Sequence, residues 1–273
     1  MQPFADLSRL SLNQATTKRW SLPEAVDGCV RANIPWIGLW RDKVAETGLT
    51  QSTRIVRDAG LRVSSLCRGG FFPAATAPER QARIDDNRRA IDEAAELGTN
   101  LLVLVCGPAP DRDLLAARAM VAEGIAQLVP YAIEHGVRLG IEPLHPMYAA
   151  DRSVIVTIGE AMTIVEQLQT PQVGVVLDTF HIWWDPQLDA QIQRASGHIL
   201  GFHLCDWLVP LPDVLLGRGM MGDGMIDLRR IRTAVEAAGY TGPNEVEIFN
   251  QAIWDAPGDA VLDTMCARYL SCC

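Results

Sequence analysis

Along the chain, short apolar runs alternate with longer segments in which apolar positions recur every three or four residues. The runs at 7–12, 36–40, 62–67, 101–106, 137–142, 173–178, 199–204 and 245–249 predict eight strands. Their near-continuous apolarity is the pattern of parallel strands covered on both faces. Segments between them, such as 78–97 and 114–135, carry the helical period. Ser21-Leu22-Pro23-Glu24 spells a capping box with proline in the first turn. Gly60, Gly98, Gly136 and Gly239 each follow a helical run, where a C-terminal glycine cap belongs. Eight even strand–helix units predict an α/β fold closed as a (β/α)8 TIM barrel, in preference to a doubly wound open sheet. No linker, low-complexity stretch or repeat divides the sequence, so 1–273 is read as one barrel domain.

Composition narrows the function. A length of 273 residues suits such a barrel, and 48% hydrophobic residues can fill its core. No apolar run reaches the roughly 18 residues of a membrane span. Residues 1–6 lack a basic region followed by an apolar one, so a cytoplasmic protein without a secretory leader is expected. The seven cysteines are odd in number, scattered, and include no C-x-x-C pair, which fits reduced thiols. A net charge of −9 without a basic block weighs against a nucleic-acid partner. The only lysines are Lys18 and Lys43, so an imine-forming lysine on a later strand is excluded.

Catalytic groups on a barrel sit where strands end. The last four runs end in or near Ile141-Glu142, Leu177-Asp178, Phe202-His203 and Val246-Glu247. Singly, each has an ordinary reading as a helix cap or a backbone-satisfied histidine. Four in succession point to one shared site. Three carboxylates buried together cost several kcal/mol per ion unless a cation compensates, and a divalent metal is the simplest compensation. Three oxygen ligands and one imidazole suit Mn2+ or Mg2+, with Co2+ or Zn2+ as alternatives.

These residues give the sequence a resemblance to the xylose isomerase-like TIM-barrel superfamily, in its sugar phosphate isomerase/epimerase branch. The matching motifs are Ile141-Glu142-Pro143-Leu144, Asp178-Thr179-Phe180-His181, Phe202-His203-Leu204-Cys205-Asp206, Gly222-Asp223-Gly224 with Asp227, and Val246-Glu247-Ile248-Phe249. The match covers essentially the whole chain. The resemblance implies that Glu142 and Glu247 serve both as ligands and as the acid/base pair. One would remove a proton beside a substrate carbonyl and the other would return it, through an enediolate. It also implies that His181 hydrogen-bonds substrate oxygens, with a supporting or helix-capping role as the alternative, and that Arg218 contacts substrate. Glu245, on the same strand face as Glu247, is a rival ligand; the family motif Val-Glu-Ile/Leu-Phe favours Glu247. The stretch from His203 to Arg218 is longer than in family epimerases, so 207–221 reads as an insertion. Its apolar residues make it a lid over the pocket or a contact in a homodimer or higher homo-oligomer.

Weaker signals remain. His145 is either a substrate contact or a surface-loop histidine. Asp206 is read as orienting His203 or a substrate hydroxyl. Arg68, before Gly69-Gly70, holds an anion or hydroxyl, or marks a plain turn. Trp40, Phe71, Phe72, Trp183, Trp184 and Trp207 follow strand ends, where aromatic faces line sugar sites or cover the rim. Asn13 is a candidate pocket residue. Gly217-Arg218-Gly219-Met220-Met221-Gly222 spells G-x-G-x-x-G but opens no helix directly off a strand, so it is no dinucleotide fingerprint, although its amides can still meet a phosphate.

The function expected is metal-dependent isomerisation or epimerisation of a small sugar, keto-sugar or related polyol. The alternative is a metal-dependent dehydratase (lyase) of a cyclic keto-polyol such as an inosose. An apurinic-site endonuclease lacks its extra histidines here, and hydride-shift isomerisation lacks its site lysine. A non-catalytic metal-binding barrel is the remaining reading.

Overall fold

Eight short parallel strands close on themselves in the computed structural model, which describes residues 6–273. Residues 1–5, on which the expectation of no leader partly rested, lie outside the described residues. The strands are β1 (Leu10–Asn13), β2 (Trp36–Trp40), β3 (Arg62–Gly70), β4 (Leu101–Val105), β5 (Arg138–Ile141), β6 (Val173–Asp178), β7 (Ile199–Leu204) and β8 (Asn244–Val246). Each pairs with its neighbours in chain order, and β1 pairs with both β2 and β8 to close the ring. Helices follow every strand, so this is the (β/α)8 barrel that the eight-unit pattern predicts.

The strands are apolar throughout because both faces are covered; every residue of β6 and β7 is buried. Outward side chains such as Leu12, Leu39, Leu139 and Leu177 join the helices in the main core. Leu101, Val103, Val176 and Leu200 pack with Cys67 in a second, smaller cluster. The predicted helix signals are realised. Ser21 and Glu24 form a reciprocal capping box. Gly60, Gly98, Gly136 and Gly239 take φ values of 73°, 76°, 66° and 96°, the left-handed region where a Cβ is disfavoured.

The strand limits differ from expectation by more than one residue in three places. β1 starts at Leu10, because Leu7 closes a turn by accepting from the Leu10 N–H at 2.9 Å. β3 runs on to Gly70, with register shifts against both neighbours. β8 ends at Val246; beyond it the Ile248 N–H goes to the Thr16 hydroxyl at 2.9 Å instead of to a strand. After β7 the chain makes an excursion, in which Asp206–Trp207 pairs antiparallel with Arg218–Gly219. Among the described residues, no helix is long and apolar enough to cross a membrane.

Candidate metal centre

Glu142 directly follows β5 and precedes Pro143, which holds it in extended backbone. Asp178 ends β6 and caps the short helix Thr179–Ile182, its Oδ1 accepting from Phe180 N at 2.9 Å. His203 lies opposite Asp178 in the β6–β7 register. Glu247 stands one residue past β8, its N–H still bound to Leu204 O at 3.2 Å. One ligand-type atom from each of these four buried residues lies within 4.8 Å of the others.

The donor set fits a cation because its own buried atoms are left unsatisfied. His203 Nδ1 is 3.3 Å from Glu142 Oε1 and 3.7 Å from Glu247 Oε2. Yet among the described residues neither ring nitrogen of His203, nor Glu142 Oε1, finds a hydrogen-bond partner. Buried polar atoms left in this state are costly, and native interiors rarely tolerate them together. Three carboxylates and an imidazole facing one point are what a divalent cation would satisfy.

Arg218 also compensates part of the charge. Its guanidinium, buried between the rings of Phe180 and Phe249, donates through Nη1 to Asp178 Oδ2 at 2.7 Å and Glu247 Oε2 at 2.9 Å. The titration of the cluster reflects these neighbours. Burial raises the Glu142 carboxyl to about 7, with Glu247 and Asp178 adding to burial and His203 opposing it. Burial would raise Asp178 as well, but Arg218 and the nearby imidazoles outweigh it and bring it to about 2. His203 is pulled down by burial and lifted more by Glu245, Glu142 and Glu247, ending well above its ordinary value.

Glu245 is committed elsewhere. Its carboxylate accepts from Ser64 Oγ at 2.5 Å, Ser65 Oγ at 3.0 Å and Asn13 Nδ2 at 2.6 Å, and reaches His203 Nε2 only at 3.8 Å. It is the support beneath the histidine rather than a fifth face of the cluster.

His181 is one helical turn from Asp178, with Nε2 at 3.8 Å from Asp178 Oδ2. Burial, first among the causes, brings His181 down to about 3, so the ring is neutral. The His145 N–H lies 3.2 Å from His181 Nδ1 and Arg218 Nη2, which can only donate, stands 3.2 Å from Nε2, so donors approach the ring on both sides.

A small cavity of about 60 Å3 lies over Glu142 and Glu247. His181, Arg218 and Arg68 line it, as the sequence suggested, and so do Trp40 and Leu215. Three expected contacts do not. Asp206 uses its carboxylate to accept from the N–H groups of Trp207, Gly222, Gly224 and Ile226 at 2.8–3.0 Å. It therefore fixes the turn after the excursion and touches neither His203 nor the pocket, because its acceptor sites are filled by backbone. Trp183 packs on Trp207 at 5.3 Å between ring centroids, away from the cavity wall. His145 sits between Trp184 and Trp207 and acts on the site through its backbone, by fixing His181. Sequence reasoning missed Tyr148 and Arg152, which line the cavity from the connection after β5. Both lie well beyond the strand end, where no motif marks them.

Residues 28–267 match the model of the xylose isomerase-like TIM barrel family. The crystal structure of protein SMc04130 from Sinorhizobium meliloti 1021 is 53% identical, with a TM-score of 0.96 over 98% of this chain and 99% of that one. A solved IOLI protein with a bound zinc atom is 20% identical and superposes with a TM-score of 0.84, over 94% of this chain and 95% of that one, a likeness of fold. Among curated relatives, 3-dehydroshikimate dehydratase of Pseudomonas putida is 27% identical over 250 residues, which are 87% of this chain and 37% of the relative. The chain thus spans little more than a third of that protein. L-ribulose-5-phosphate 3-epimerase UlaE of Salmonella paratyphi A is 24% identical over 206 residues, 72% of this chain and 68% of the relative.

Proposed function

From the premise that the chain belongs to the xylose isomerase-like TIM barrel family, we propose that it is a divalent-metal-dependent isomerase or epimerase of a small keto-sugar or related polyol. The observation that carries this reading is the cluster of Glu142, Asp178, His203 and Glu247 within 4.8 Å, with its unsatisfied buried nitrogen and oxygen atoms. These four residues would hold the ion, which, when bound, supplies a Lewis acid that acidifies the C–H beside a substrate carbonyl.

The chain's own groups would do the rest. Glu142 and Glu247 would be the two carboxylates that take the proton and return it. Arg218, with the neutral His181 beside it, would hold the oxygens on which negative charge grows. Trp40 and Leu215 line the cavity and would help keep water from the carbanionic carbon.

A dehydratase is the second reading, favoured by the longer match to 3-dehydroshikimate dehydratase. It shares the proton abstraction and differs in the fate of the carbanionic intermediate, which expels a hydroxyl instead of regaining a proton. The test is incubation of the Mn2+-loaded protein with keto-sugars and cyclic keto-polyols in deuterium oxide. Deuterium entering recovered or isomerised substrate supports the isomerase; loss of water with an unsaturated product supports the lyase. Glu142→Gln and Glu247→Gln should each lose activity by roughly three orders of magnitude or more with metal in excess. No exchange and no elimination on any substrate, or full activity in both variants, overturns the proposal.

A further inference from the structure

Most arginines among the described residues are spoken for: Arg9, Arg31, Arg41, Arg194 and Arg218, for example, all meet carboxylates within 3.0 Å. Arg68 and Arg152 differ. Both line the cavity over Glu142 and Glu247, and among the described residues neither guanidinium meets a carboxylate or makes a side-chain hydrogen bond. Both are half-buried.

They are also held in place. The Arg68 guanidinium lies 4.2 Å over the Phe71 ring, and that of Arg152 lies 5.5 Å over the Tyr148 ring. Stacking on an aromatic face fixes the plane of a guanidinium and leaves its N–H edge free. The two platforms are joined through Gly107. Its N–H bonds Arg152 O at 3.0 Å, and it approaches Phe71 so closely that a Cβ would come within 2.8 Å of Phe71 Cα. Arg68 further lies between the small cavity and a larger cleft of about 600 Å3, whose wall it shares with Trp40, Phe71 and Arg83.

Two fixed cations with unspent donors, brought together in a half-buried site, repel each other and want an anion. Burial lowers the Arg68 pKa, and the Arg152 charge lowers it further. We infer that the substrate carries an oxyanion substituent, carboxylate or phosphate, which Arg68 and Arg152 hold at the outer end of the cavity while the reacting carbon lies over Glu142 and Glu247. A guanidinium pair offers parallel N–H donors matched to two oxygens of one group, which an uncharged hydroxyl cannot use as fully. The inference rests on the proposed reaction only for the placement of the reacting end.

Calorimetric binding to the Mn2+-loaded protein tests it without needing turnover. The probes are a keto-pentose 5-phosphate, a carboxylated cyclic keto-polyol and an uncharged keto-hexose. One charged probe should bind at least about tenfold more tightly than the uncharged one, and Arg68→Gln or Arg152→Gln should remove that advantage. The charged probe that shows the advantage identifies the group as phosphate or carboxylate. Arg152→Lys, which keeps a charge but not the fork, should retain part of it. Equal binding of all three probes, no binding of either charged probe, or an advantage that survives both Gln substitutions overturns the inference. An anion preference without deuterium exchange in any bound probe would sink the reaction and leave the anion site standing; exchange on uncharged sugars without the preference would do the reverse.

Discussion

Gly38 lacks a side chain because Glu245 needs its space: a Cβ there would stand 2.0 Å from Glu245 Oε1. Glu245 in turn is tied by Ser64, Ser65 and Asn13 beneath His203. Supporting contacts of this kind orient ligands, and their loss costs roughly 10- to 100-fold in metal affinity. Gly38→Ala should therefore weaken Mn2+ binding by about tenfold or more, measured by chelator competition, although residue 38 touches none of the four cluster atoms. Affinity unchanged in a folded Gly38→Ala protein would show that Glu245 gives the cluster no support. The same scale explains what the sequence could and could not say about the site. Glu142, Asp178, His203 and Glu247 were legible because each closes an apolar run, a position with one geometric meaning on a barrel. Asp206 was misread because a carboxylate just past a strand can face the pocket or a turn, and only the four backbone donors around it decide. Arg152 left no trace, since its place depends on Gly107 from another strand end.

At the scale of elements, strands with one continuous apolar run were read to the residue: 36–40, 173–178 and 199–204. Limits slipped where apolar residues continue past the ladder, as Ile248 does after β8, or where a turn precedes it, as Leu7 does before β1. The excursion at 207–221 was expected to be a lid or an interface, and its side chains divide. Leu215 turns into the cavity, and Val214 O accepts from the Tyr148 hydroxyl, tying the excursion to the turn Pro146–Tyr148. Trp207 joins His145, Phe180 and Trp183 in an aromatic cluster on the rim. Val209 and Val214 point outward, 69% and 52% exposed. The inward side of the excursion therefore lines the site, whatever the outward side meets. Leu215→Ala should broaden the range of accepted substrates and raise proton exchange with solvent, with the oligomeric state unchanged by light scattering. Val209→Ser with Val214→Ser should leave the kinetics alone and shift the oligomeric state if this face joins subunits. Unaltered kinetics in Leu215→Ala would remove the lid.

Across the whole molecule, the barrel gathers negative charge at one mouth. Glu142, Asp178, Glu245 and Glu247 are all buried there, and among the described residues Arg218 is the one guanidinium that pairs into the cluster. That imbalance should appear as a pH dependence of stability. Folding raises the Glu142 carboxyl from 4.5 to about 7, chiefly by burial. A group raised in this way contributes fully below its unfolded value, and its contribution is lost as pH rises through about 7. His203, raised by the surrounding carboxylates against its burial, is lost on the same rising limb. Asp178, brought down from 3.8 to about 2, runs the other way: its contribution is complete above 3.8 and disappears only as pH falls toward 2, outside the neutral range. The metal-free protein should therefore melt at lower temperature as pH rises from about 5 to about 8, and Glu142→Gln should flatten that decline. An ion that binds only the folded chain adds RT ln(1 + [L]/Kd), about 2.7 kcal/mol at a hundredfold excess over Kd. Because it competes with protons for His203 and Glu142, the gain should be larger at about pH 8 than at about pH 5. Thermal melts with EDTA and with Mn2+ across this range measure both effects. A metal-free melting temperature that rises with pH, together with no gain from any divalent ion, would mean that Arg218 already balances the cluster and that the chain needs no metal to hold its four ligand-type residues together.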